Sequence, residues 1–178
     1  MYKLLILPAV LFSLLLSACE KDKKDSYGDG PKTEVSASLQ GVWMYGNFSM
    51  TEYWSQNPAD YIGNAFELAI AFKFNANGTY EQYFTSRTVT TGISTYHQSF
   101  TRGTVEINEA TKTIVTHAAN AHYKQTKNGQ TIQDRNLEKS EITATTTYTY
   151  EETTAPNGTK VLKLKLNGNG NALDFLKK

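Results

Sequence analysis

Beyond residue 38, apolar and polar residues alternate with a period of two, the pattern of strands with one buried face. In the clearest run Phe66, Leu68, Ile70, Phe72 and Phe74 share one side, and Glu67, Ala69, Ala71 and Lys73 the other. Asn75-Ala76-Asn77-Gly78 then turns the chain, because Asn-Gly accepts the positive φ of a tight hairpin. Tyr80, Gln82 and Phe84 follow, alternating with Glu81 and Tyr83. Extended stretches are expected from Ser94 to Asn108, with Gly103 as a bulge or bend, and from Thr113 to Thr126. Lys127-Asn128-Gly129 turns the chain again. Glu141 to Thr153 is rich in Thr and Tyr, which suit a pleated surface. Pro156-Asn157-Gly158 closes a hairpin into Lys160 to Leu166, where Leu162, Leu164 and Leu166 oppose the lysines. With Leu39 to Phe48, this predicts about eight strands joined by tight turns, and no long helix. Consecutive hairpins make an all-β antiparallel up-and-down meander, and closing it into a barrel removes its exposed edges. A two-sheet sandwich is the competing arrangement.

The start of the chain follows a different rule. Leu4 to Leu16 is an apolar run of 13 residues behind Lys3, interrupted by Pro8. A membrane span needs about twenty apolar residues, so the run reads as a secretory signal over residues 1–18. Leu16-Ser17-Ala18-Cys19 resembles the bacterial lipobox, in which the cysteine is acylated and becomes the mature N-terminus. Cys19 is the single cysteine, so no intramolecular disulfide can form, and acylation would remove the thiol from chemistry. The resemblance implies attachment to the bacterial outer membrane. Glu20 to Asp25 is a charge run that partly resembles the export signal of surface lipoproteins of Bacteroidetes. Display at the cell surface and at the inner leaflet are both open. Charge, Gly, Ser and Pro dominate residues 19–38, which read as a flexible tether, leaving 39–178 as one folded domain.

Removing the signal removes Lys3, so 18 − 1 = 17 Lys+Arg face 17 Asp+Glu. A balanced charge without a basic cluster argues against nucleic acid as a partner.

A second resemblance concerns the domain. Gly41-Val42-Trp43 resembles the lipocalin Gly-x-Trp motif, and Phe74 to Tyr80 is similar to the second hairpin of lipocalin-like lipoproteins of Bacteroidetes. This implies a lipocalin-like barrel in which Gly41 and Trp43 are structural and the connection after the first strand is a lid. In lipocalins an arginine from the far end of the chain covers that tryptophan. The arginines here, Arg87, Arg102 and Arg135, lie elsewhere. Ser49-Met50-Thr51-Glu52 has capping-box form and predicts a short helical lid. Phe48, Tyr53, Trp54 and Tyr61 crowd around it, and Tyr83 or Tyr148 would supply a polar handle inside a Phe-lined cavity. These six residues are the candidate contacts for a small apolar or amphipathic ligand. The alternative is a filled barrel that binds another envelope protein or inhibits a hydrolase.

Catalysis has no constellation to carry it. His117 and His122 differ by an odd number and should face opposite ways on a regular strand. No nucleophile elbow or paired carboxylates are present, so neither an enzyme, a metal nor a cofactor is expected.

Overall fold

The structure, a computed structural model, describes residues 26–54 and 68–178. Nine strands form one antiparallel sheet: β1 Gly41–Tyr45, β2 Leu68–Phe74, β3 Thr79–Thr90, β4 Ile93–Asn108, β5 Thr113–Lys127, β6 Gln130–Asn136, β7 Thr145–Thr154, β8 Lys160–Leu166 and β9 Leu173–Lys177. Each pairs with its neighbour in the order β4-β3-β2-β1-β9-β8-β7-β5, and a further β4–β5 pairing closes these eight into a ring. β6 hangs on β5 outside the ring, above the segment that β7 pairs. The all-β antiparallel expectation is met. β9 closes the ring between β8 and β1, although the alternation expected no strand after Leu166.

The inside of the ring is apolar. Trp43, Phe72, Phe74, Tyr80, Ile114, Leu162 and Phe175 pack together there, with Val105, Tyr150 and Leu164. Trp43 pairs across strands with Phe72, and Phe72 meets Phe175 at 5.6 Å between ring centroids. Each fully buried aliphatic or aromatic side chain adds about 1.5–3 kcal/mol, which makes this layer the main source of stability.

β2 is buried on both faces. Ala69 and Ala71 are fully inaccessible because Phe48 and Tyr53 lie across the outside of the sheet, against Met44. Residues 51–54 form a turn, with no helix in the described part of the expected lid, whose remainder lies outside the described residues. Ser49 Oγ accepts from Glu52 N at 3.2 Å there, as in a capping box.

Residues 26–38, expected as flexible tether, are a strap laid against the outside of β4 and β5. Thr33 N donates to Val105 O at 3.0 Å, Val35 N to Ala76 O at 3.1 Å, and Asn120 Nδ2 to Ser26 O at 2.5 Å. Gly28 and Gly30 permit the close approach. A Cβ at Gly28 would lie 2.7 Å from Ala119 Cβ, and one at Gly30 would lie 2.6 Å from Thr104 Oγ1. The strap ends in a turn that inserts Val35 and Leu39 into the inner core, closing that end of the ring.

The expected bulge at Gly103 is present, with the β4–β5 register shifting between Arg102 and Gly103. Ala119 is the extra residue on β5, where Asn120 opposes Arg102 and Ala118 opposes Gly103. One inserted residue reverses the facing of everything beyond it. His117 and His122 therefore share the outer face, contrary to the regular-strand expectation.

Candidate functional site

Four of the six expected contact residues converge on the outer face of β2–β5. Tyr53 is the hub, 5.6 Å from Phe48, 4.8 Å from Trp54 and 5.1 Å from Tyr83 between ring centroids. Tyr83 leans on Phe100 at 4.7 Å, and Trp54 meets the His122 ring edge-on at 4.9 Å. Such tilted contacts place ring edges against ring faces, which favours them electrostatically.

Polar groups of the sheet hold this segment down. Gln98 Nε2 donates to Tyr53 O at 2.5 Å, and Lys124 Nζ donates to Trp54 O at 2.9 Å. The Tyr53 hydroxyl lies between the carbonyls of Phe84 and Ser99, 2.8 Å from the latter. Burial raises its pKa well above the ordinary phenol value.

Tyr148 is separated from that cluster by the sheet. It points into the ring, 5.6 Å from Phe72, and burial pushes its hydroxyl up to about 12. Tyr83 and Tyr148 thus stand on opposite faces of the sheet, so the two do not line one cavity. Tyr61 and Cys19 lie outside the described residues. Gly41 opens β1, and Trp43 is 1% exposed, its Nε1 donating to Leu39 O at 2.7 Å. Lys177 Nζ stands 5.0 Å over the Trp43 ring and donates to Ser38 O at 2.9 Å. The cation over this tryptophan thus comes from the last strand as a lysine, a residue that a search for arginine passes over.

Beside Tyr53 runs a groove of about 260 Å³, bordered by Met50, Thr51, Trp54, Tyr83, Phe100 and Arg102. The Arg102 guanidinium lies 4.7 Å over the Phe100 ring and 5.7 Å from that of Tyr27. Arg102 belongs to a charged cluster that alternation alone did not single out. Its centre is Glu81, 7% exposed, which accepts from the Tyr27 hydroxyl at 2.5 Å and the Tyr83 hydroxyl at 2.9 Å. Lys73 Nζ is 3.7 Å away. Burial alone would raise the Glu81 pKa, but the two tyrosine bonds and the Lys73 and Arg102 charges outweigh it. The carboxyl is held below its ordinary value.

The sign of the pH effect follows. A carboxyl with a depressed folded pKa stabilises the fold above its unfolded pKa and loses that contribution as pH falls through the folded one. Between neutral pH and the ordinary glutamate value of 4.5 the contribution is intact; below it, the strap contact at Tyr27 weakens. Glu81→Gln is expected to lower stability at pH 7 and to flatten its decline below pH 4.5, read as denaturation midpoints across pH. A parallel decline in both proteins would refute this role.

A larger cavity of about 540 Å³ opens between the strap and the wall formed by His117 to Asn120, with Lys139 and Ile142 at its border. The two outward histidines have separate partners. His117 Nε2 is 2.7 Å from Glu106, and His122 Nε2 is 2.7 Å from Asp134. Among the described residues no group of three His, Cys, Asp or Glu side chains converges as a metal site would require. Comparison with protein-family models, curated proteins and solved structures finds no match.

Proposed function

We propose that the chain is a lipoprotein anchored through Cys19 to the bacterial outer membrane, with a lipocalin-like barrel that binds a small amphipathic ligand on its outer face. Gly41-Val42-Trp43 at the start of the ring, and Lys177 over Trp43, support the lipocalin-like reading. One observation carries the binding site. The aromatic residues of the first connection gather around Tyr53 outside the sheet, while Trp43, Phe72 and Phe175 occupy its inside.

The groove's size sets the ligand. Sites for drug-sized ligands enclose about 300–1,000 Å³. A groove of 260 Å³ takes one ring, such as a sugar or an aromatic group, whose apolar face lies on Trp54 and whose polar edge meets Arg102.

The apolar packing inside the ring also favours a second reading, in which the same groove receives an aromatic side chain of another envelope protein. No catalytic role is proposed.

Native mass spectrometry of the full chain, purified in detergent from its own envelope, tests the reading. A co-purifying small molecule is expected, lost in Trp54→Ala and retained in Tyr148→Phe. Loss in Tyr148→Phe with retention in Trp54→Ala would place the ligand inside the ring. A clean apo mass together with a protein partner would favour the second reading.

A further inference from the structure

The strap bears on where the groove sits relative to the membrane. Were residues 19–38 all free, they would give the domain a leash of about 65 Å. Instead the chain is fastened from Ser26, through Asn120 to Ser26 O and Tyr27 to Glu81. Six residues lie between Cys19 and Ser26, and the seven steps between these two span about 25 Å at full extension.

The fastening point is on a side wall of the ring, partway along β5, and not at either end. In the ring order, β9 and β1 lie across from β4 and β5. The groove adjoins the fastening point, since Arg102 borders it and also lies 5.7 Å from the Tyr27 ring. Side chains with an amphipathic ring, such as Trp54 and Tyr83, suit the headgroup level of a bilayer.

We propose that the strap holds the outer face of β3–β5, with the aromatic groove, against the bilayer that carries the anchor, and turns the β9–β1 wall away. The ligand would then be met at the membrane surface rather than in free solution. The inference rests on the acylation of Cys19. It does not rest on charge, because the mature chain is neutral and short-range tethering alone sets the orientation.

The test uses the full chain processed in bacterial cells. With Cys19 acylated, Lys139→Cys beside the fastening point and Asp174→Cys on β9 each provide one reactive thiol for a fluorophore. The labelled proteins are placed in vesicles of phosphatidylethanolamine and phosphatidylglycerol carrying a nitroxide on the headgroup. The probe at 139 is expected to be quenched several-fold more than the probe at 174. Twenty Gly/Ser residues inserted between Asp25 and Ser26 should equalise them. Equal quenching in the acylated chain of natural length would overturn the orientation alone. A mass without acyl chains at Cys19 would overturn the anchor and the orientation together.

Discussion

Replacing Trp43 with alanine is expected to cost about 4 kcal/mol, from large-to-small substitution of a fully buried aromatic. Three losses combine at this position. The indole leaves a cavity facing Phe72 and Leu39, the Leu39 carbonyl loses its Nε1 donor, and the Lys177 ammonium loses the ring beneath it. Typical domains are stable by about 5–15 kcal/mol, so the variant would be only marginally folded at room temperature. Urea denaturation reads this as a lower midpoint with an unchanged slope. Trp43→Phe keeps most of the volume and should lose about 1.5 kcal/mol, reflecting the hydrogen bond and the cation contact. A loss under 1 kcal/mol in Trp43→Ala would mean that the inner layer does not depend on this side chain.

The second large effect is at the bulge. Gly103→Ala should cost about 3 kcal/mol, as forced overpacking against rigid neighbours does. A Cβ there would collide with the carbonyl oxygen of His117 and come within 2.8 Å of the Tyr80 ring. Neither neighbour can yield: one is sheet backbone, the other a fully buried ring of the inner core. The consequence extends past stability. If the β4–β5 register slips to relieve the clash, His122 turns from the outer face and Trp54 loses the imidazole it packs against. Thermal denaturation, with two-dimensional NMR of His122 and Trp54, follows both effects. A fully stable Gly103→Ala variant with unchanged spectra would show that the bulge does not require glycine.

Much of this ring is legible in the chain. The alternation at β2 and β8, the Asn-Gly turns and the Gly103 bulge follow from side-chain period and backbone freedom. Other elements left weaker signals. β9 is five residues behind a Gly- and Asn-rich stretch, with Phe175 as its one buried side chain, too short for alternation to register. β6 is exposed throughout and shows no apolar face. The strap reads as tether because it binds through backbone groups, two close-packed glycines and the Tyr27 hydroxyl, with Val35 its one side chain in the inner core and no apolar stripe.

The aromatic cluster around Tyr53 was legible by residue type but not by side. Period two separates a strand into two faces without saying which connection covers which. The available signal was on β2: Ala69 and Ala71, small and apolar where a solvent face would carry polar groups, leave room for Phe48 and Tyr53 to lie over them. The Glu81 cluster joins residues 54 positions apart, Tyr27 to Glu81, and only tertiary pairing brings them together.

The chain's two tryptophans offer the most direct test of an outer groove on a filled ring, because one lies on each side of the sheet. Two-dimensional NMR resolves two indole N–H signals. On adding the co-purified molecule, the Trp54 signal is expected to shift, while the Trp43 signal, held by Leu39 O, stays in place. Movement of the Trp43 signal with the Trp54 signal unchanged would contradict the account.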